Sequence, residues 1–378
     1  KKVGYQPSMA GAIEAVSSSG GQIMPPVMGA VAFLMSEVTG IKYSAICLAA
    51  FVPAALYYVT LSSTVYLTAR KDNIPAARED QVKKFFTVLK QGWPFFIPLI
   101  VLMGLLLMNY SVKRSGFFAI VAALIIGFIM NRQAMTIHRI AGALKSAVAG
   151  IAPIAAACIM AGIIMDVINI TGLGLKISGI ITGLANGSLM IALILSMCTS
   201  LLLGMGLPTS AAYMILAVLV APAMVQMGAS TMAAHLFILY YGALSTITPP
   251  VALSVFAAAS IAKSGLWTTG RDAMLLASTG FIIPFIFVYE SALLLEGSAG
   301  LIAWTIGTAI IGCIILAVAV IGWAGVKLPV WARLVIFPCA ILLFLSKPIA
   351  LNFAGLGVTI LLIIVCNFLS KSRKVSNV

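Results

Sequence analysis

Charge is what this chain has least of. Asp, Glu, Lys and Arg make up 8% of its 378 residues while 62% are apolar, and a soluble domain carries about a quarter charged residues. That poverty excludes a soluble globular protein and implies a polytopic membrane protein. The six cysteines (Cys47, Cys158, Cys198, Cys313, Cys339 and Cys366) lie inside apolar runs without paired spacing, so they read as small buried hydrophobes, and neither a disulfide framework nor a zinc site is implied. Nothing resembles a nucleotide-binding loop, a metal-ligand cluster or the Ser/His pair of an intramembrane protease, so no enzyme and no organic cofactor is expected. The net charge of +14 does not point to nucleic acid, because the basic residues sit in short connections between apolar runs, where they set membrane orientation. An initiator Met and a signal peptide are both missing from the first residues, which reads as the C-terminal part of a longer polypeptide.

Against this background two stretches stand out: Gly204-Met-Gly-Leu-Pro-Thr-Ser210 and Ser245-Thr-Ile-Thr-Pro-Pro250. Each sets Gly, Pro and small hydroxyl residues inside sequence apolar enough to cross a bilayer. Proline lacks a backbone donor and clashes with the preceding turn, so a Pro-Pro pair interrupts the helix and frees carbonyls at membrane depth. Non-helical backbone survives there only where protein, water, an ion or a substrate satisfies it. A plain kink that lets helices pack is the alternative at each break.

Spans of about 20 apolar residues are expected at 5–36 (broken), 41–68, 93–110, 115–131, 146–168, 188–227 (broken), 230–264 (broken), 273–292, 300–323, 328–346 and 349–369. The one sizeable polar loop runs from Arg70 to Lys90. If that loop is cytoplasmic and 188–227 is a hairpin entering and leaving by one face, only Lys42, Lys113, Arg114, Lys176 and Lys347 of the 23 basic residues fall outside. The positive-inside bias therefore favours a re-entrant hairpin and a cytoplasmic C-terminus.

The broken segments repeat. At an offset of 224, Gly4 falls on Gly228, Ala10 on Ala234, Ile23 on Ile247, Pro25-Pro26-Val27 on Pro249-Pro250-Val251, Val31 on Val255 and Ser36 on Ser260. The expected topology sends the two copies across the membrane in opposite directions, so the repeat is inverted, and such repeats with discontinuous helices are the architecture of secondary transporters. By the same offset, the counterpart of Gly204–Met227 lies before Lys1. The chain divides into 1–40, the end of the first repeat; 41–170, connecting scaffold helices; 171–268, the second repeat with hairpin 188–227 and broken helix 230–264; and 269–378, C-terminal helices.

Cation-binding candidates are the residues that bring carbonyls and hydroxyls to the breaks: Ser19, Gly20, Gly21, Gln22 and Met24 in the first, Gly204 and Gly206 at the hairpin, and Ser245, Thr246 and Thr248 in the second. A half-helix C-terminus carries partial negative charge suited to Na⁺. Substrate-binding candidates are Pro25, Pro208, Thr209, Ser210 and Pro249, since a helix restarting after Pro208 points backbone donors at an anion. Glu14, a carboxylate in an apolar half-helix, is a proton-coupling candidate, with plain ion pairing or a place in a wet cavity as the alternatives. His235 reads as a hydrogen-bonded packing residue.

The segments Gly20-Gly-Gln-Ile-Met-Pro-Pro-Val-Met-Gly-Ala30, Gly204-Met-Gly-Leu-Pro-Thr-Ser-Ala-Ala-Tyr213 and Leu239-Tyr-Tyr-Gly-Ala-Leu-Ser-Thr-Ile-Thr-Pro-Pro250 resemble the large membrane domain of tripartite ATP-independent periplasmic (TRAP) transporters, in particular the fused permease of the TAXI branch. The resemblance covers about residues 1–292, and the last three spans look like that branch's C-terminal extension. It implies an elevator-type secondary transporter in a bacterial or archaeal cytoplasmic membrane, with a periplasmic substrate-binding protein and a small membrane domain as partners. It also implies uptake of small organic anions, commonly carboxylates, driven by Na⁺ or H⁺. The small domain and the first half of the first hairpin are absent from this sequence, which departs from the family's pattern. The alternatives are a passive channel, a proton-coupled transporter of another substrate class, and a membrane scaffold without transport.

Overall fold

A computed structural model describes residues 3–75, 85–108, 110–130, 132, 135–346 and 348–376. Lys1, Lys2, Arg78, Lys83, Lys84 and Lys347, on which part of the charge bias rests, lie outside the described residues. Among the described residues the regular structure is helical, apart from an isolated bridge between Trp323 and Lys327. In order the helices are α1 (Pro7–Gly20), α2 (Val31–Thr39), α3 (Tyr43–Lys71), α4 (Phe85–Gly92), α5 (Ile97–Leu107), α6 (Val112–Met130), α7 (Ile137–Thr171), α8 (Leu173–Ala185) and α9 (Leu189–Gly204). They continue as α10 (Thr209–Leu219), α11 (Ala221–Gln226), α12 (Thr231–Leu244), α13 (Leu253–Ala262), α14 (Leu266–Leu276), α15 (Ser278–Tyr289), α16 (Ala299–Ile321), α17 (Val330–Leu342) and α18 (Ile349–Ser376). Short 3₁₀ turns at Trp93–Phe96 and Ser291–Leu294 lead into α5 and α16.

Local chemistry sets many of these boundaries. Ser188, Ser230 and Ser298 each accept a hydrogen bond from the backbone N–H three residues on, opening α9, α12 and α16, as small hydroxyl residues do at helix starts. Gly172 and Gly322 close α7 and α16 in the left-handed conformation, which only glycine adopts without steric cost.

Five helices are long and apolar enough to cross a membrane, or six when the pair Cys158–Thr171 and Leu173–Ala185, bent by 73°, is taken as one span. The protein is an all-α, multi-pass membrane protein. By contrast α1 and α12, each of 14 residues, reach only ~21 Å, short of the ~30 Å hydrocarbon core. They are half-spans. Two elements depart from the expected order: α8 occupies a stretch to which no span was given, and α4 forms a helix within the polar Arg70–Lys90 connection. Both follow from amphipathic periods too short to register as a membrane span.

The repeat is carried in the backbone as well as in the residues. Shifted by 224, α1 falls on α12 end for end. Met28 and Ala252, equivalent by the same shift, both adopt positive φ, at 46° and 43°, a conformation uncommon for residues with a Cβ. Gly4 and Gly228 match likewise at 113° and 101°, and the Pro25–Pro26 and Pro249–Pro250 bonds are both cis. The shift also carries Tyr43, which opens α3, onto Trp267 in α14, so the correspondence runs beyond the broken helices.

At the centre lies α12, buried at every residue from Ala233 to Leu244 and packed by α9, α10 and α15. On the other side α1 lies against α13 and α14. The C-terminal helices are part of this body: α16 runs along α3, where the Cys313 thiol donates to Leu56 O at 3.5 Å and Lys71 Nζ to Ile321 O at 3.0 Å. Close approach of α16 and α17 depends on Gly312, where a Cβ would sit 3.0 Å from Ala340 O and 3.2 Å from Leu343 Cβ. Gly312→Val should therefore destabilise the protein by about 1–3 kcal/mol, the usual cost of overpacking. Gly300→Ala, with no atom within 4 Å of the added Cβ, should not. Thermal unfolding in detergent checks both, and equal midpoints for the two variants would disprove the contact.

Candidate functional site

Three interrupted segments converge, and side-chain hydrogen bonds hold them together. Ser19 Oγ at the end of α1 lies 3.3 Å from Thr246 Oγ1 just past the end of α12, joining the two breaks. Thr209 Oγ1, the first residue of α10, donates to Gln22 Oε1 in the first break. Ser245 Oγ in the second break lies 3.0 Å from Gly204 O at the end of α9 and 2.8 Å from Gly242 O, an acceptor on either side. Each link spans a different pair of segments, so the hairpin tip formed by α9 and α10 touches both breaks.

Glycine makes the approaches possible. A Cβ at Gly204 would lie 2.7 Å from Ser245 Oγ, and at Gly20 2.6 Å from Tyr57 Cε1. Gly206 turns the hairpin with φ +78°, a conformation that needs no Cβ.

The breaks leave unpaired acceptors. Among the described residues, the carbonyls of Gly21 and Ile23 in the first break, Ile247 and Thr248 in the second, and Met205 and Leu207 at the tip accept no hydrogen bond. Thr246 Oγ1 donates to Ala243 O and Thr248 Oγ1 to Leu244 O, each at 2.7 Å. A hydroxyl that gives its proton back to its own helix keeps its lone pairs free to accept. Neutral oxygens of this kind are the hard ligands that alkali cations take up. On the hairpin, α10 begins after Pro208 with no side-chain cap, so its first backbone N–H groups remain available to an anion.

A profile describing the tripartite ATP-independent periplasmic transporter, DctM component, matches residues 1–302. The chain belongs to this family. Against curated proteins the comparison finds no match. TRAP transporters work with a periplasmic substrate-binding protein and a small membrane component, and the DctM component is the large permease among the three.

Within this TRAP permease, Ser19 with Thr246, Gln22 with Thr209 and Gly204 with Ser245 form three hydrogen-bonded pairs that tie the three segments together. Gly20 packs against Tyr57, and Pro249 against Gly270, where a Cβ would meet the proline ring at 3.2 Å. Ser210 is buried at the start of α10, while Gly21, Gly206 and Pro208 are exposed and Met24 and Pro25 half-buried. No side-chain hydrogen bond links Thr248 or Ser210 to another segment among the described residues. Glu14 stands apart, on an exposed stripe of α1 with Ser18 and Gly21. Their equivalents on α12, Ile238, Gly242 and Ser245, are buried. His235 is buried, with Nδ1 2.8 Å from Tyr213 Oη.

The residues that sequence reasoning missed are tyrosines of α3. Tyr57 and Tyr58 donate to the carbonyls of Val16 and Ser17, each at 2.9 Å, and Tyr43 donates to Pro26 O at 2.6 Å. They satisfy carbonyls that the end of α1 and its break release. The adjacent Tyr57-Tyr58 pair inside an apolar span was the signal available, since a buried phenol needs an acceptor.

The link between Gln22 and Thr209 can be measured. Gln22→Ala and Thr209→Val should each destabilise the protein, and a double-mutant cycle should return a coupling of about 0.5–1.5 kcal/mol, the net worth of one such bond. Strictly additive midpoints would mean that the hairpin does not touch the first break.

Proposed function

We propose that this chain is the permease of a cation-gradient-driven, binding-protein-dependent importer of small organic anions such as carboxylates. It works as a TAXI-type TRAP system in a bacterial or archaeal cytoplasmic membrane, with its C-terminus in the cytoplasm. The observation that carries the reading is the convergence of two equivalent breaks and a hairpin tip through Ser19–Thr246, Gln22–Thr209 and Ser245–Gly204. It groups neutral oxygens with uncapped helix donors, one set suited to a cation and the other to an anion. Half-spans too short to cross the core support the re-entrant, inverted arrangement, and with it an elevator-like movement of the converging segments. The family match ends at residue 302, close to the start of α16, which supports reading α16–α18 as the extension of the TAXI branch. A TAXI-type binding protein and a small membrane domain, fused or separate, complete the system.

Na⁺ is the proposed co-substrate. The carbonyls of Ile247 and Thr248 and the hydroxyls of Thr246 and Thr248 are the oxygens of this chain that would receive it. The substrate carboxylate would meet the start of α10 at Thr209 and Ser210.

Reconstitution tests the reading directly. With a cognate binding protein present, the permease should accumulate substrate against its gradient, and accumulation should collapse with the ion gradient. Downhill flux indifferent to that gradient would identify a channel and sink the proposal. Thr248→Val keeps the side-chain shape and removes the oxygen, so expression should be normal while the half-saturating Na⁺ concentration rises. Loss of one ligand at about 1–3 kcal/mol corresponds to about 5- to 150-fold. Unchanged Na⁺ dependence would remove Thr248 from the site. If Na⁺ has no effect on the unmodified protein, coupling is to H⁺, and Glu14→Gln should then abolish accumulation.

A further inference from the structure

Basic residues are scarce on one side of this protein, and three of them gather at one place. In the orientation proposed above, the outer side holds only Lys42, Lys113, Arg114, Lys176 and Lys347. Lys42, at the start of α3, and Lys113, at the start of α6, line a single pocket of about 360 Å³ together with Ser36, Ser44 and Tyr110. Glu37 lines it too and offsets one of the charges. Arg114 lies beside them with its guanidinium 4.9 Å from the centre of the Tyr110 ring. Stacking holds that plane while leaving its N–H edge free. None of the three cations is paired with a carboxylate among the described residues.

Tyr110 also lines a second cavity, of about 560 Å³, that runs between α5 and α6. Arg114 stands at its head, and Val101, Gly104, Phe118 and Ile125 form part of its walls. From Arg114 to Ile125 along α6 is ~16 Å at 1.5 Å per residue, about half of a ~30 Å hydrocarbon core. α6 is also thinly covered, with 6% of its membrane window buried inside the protein. A cationic, hydroxyl-lined pocket and an apolar groove of single-leaflet depth thus share Tyr110 in their linings.

We propose that this junction binds an anionic glycerophospholipid, its phosphate between Lys42, Lys113 and Arg114 and one acyl chain in the groove between α5 and α6. A free anion would use the pocket and leave the groove empty, and an acidic protein surface would have no use for a groove that faces the hydrocarbon. The assignment of a leaflet rests on the proposed orientation, but the site itself does not. Lipid retention is read without transport, so failure of the uptake assay and failure of this proposal are distinguishable.

Native mass spectrometry of the detergent-purified full chain tests it, with phosphatidylglycerol and phosphatidylcholine of the same acyl chains as probes. Phosphatidylglycerol should stay bound and phosphatidylcholine should not. Lys113→Gln/Arg114→Gln should weaken retention about fivefold for each charge removed. Gly104→Phe, at a position where an added Cβ meets nothing within 4 Å, should fill the groove and displace the lipid without lowering the unfolding temperature of the lipid-free protein. Equal retention of the two lipids, or full retention by the charge variant, overturns the proposal. Protection by inorganic phosphate, with phosphatidylglycerol binding unaffected by Gly104→Phe, would leave an anion pocket alone and overturn it as well. So would loss of binding-protein affinity in the charge variant with lipid retention unchanged.

Discussion

A carbonyl without a donor is costly in hydrocarbon, and most of this architecture can be traced to that cost. Breaking α1 from α2 and α12 from α13 releases backbone acceptors, which in a hydrocarbon core water does not serve. The protein answers with phenols and hydroxyls from neighbouring segments. Tyr57 and Tyr58 close the end of α1, Tyr43 takes the far side of the first break, and Ser245 bridges the second break to the end of α9. The acceptors at Gly21, Ile23, Ile247 and Thr248 are among those that remain after this has been done. Function, on the reading given above, occupies the difference between acceptors released and donors supplied.

How much of this was legible in the sequence depended on whether a feature is local. A Pro-Pro pair, an uncapped restart after Pro208 and a glycine at the hairpin turn are statements about a few consecutive residues, and each is found where the residues put it. The 224-residue shift was equally readable, because Gly4 and the two Pro-Pro pairs fix the register, and the backbone follows it to the point of giving Met28 and Ala252 the same unusual φ. What could not be read was which segments meet. Nothing in the spacing of Gln22 and Thr209 announces their hydrogen bond, and α3 looked like an ordinary connecting span. Its tyrosines matter only because the fold sets them beside carbonyls far away along the chain. Glu14 illustrates the converse: its apolar neighbours in the sequence do not show which way its side chain faces, and it stands on a face that the described chain leaves uncovered.

Tyr57 also shows why glycine is used so unevenly around the site. Its ring lies against Gly20 on one side and Gly280 on the other, where Cβ atoms would come within 2.6 and 2.9 Å of it. One aromatic side chain therefore sets the spacing of α1, α3 and α15 together. Two glycines that look unrelated in sequence answer to the same ring.

The pairing of Ser19 with Thr246 has a consequence for the symmetry of the protein. Under the 224-residue shift Ser19 becomes Ala243 and Thr246 becomes Gln22, so the mirrored positions carry a methyl group and an amide in place of two hydroxyls. The duplicated backbone is regular while its chemistry is not. Whatever enters the two breaks meets a different set of oxygens in each, and the two positions are related by geometry without being interchangeable. The two breaks are like a ratchet made from two copies of one part but cut with unequal teeth.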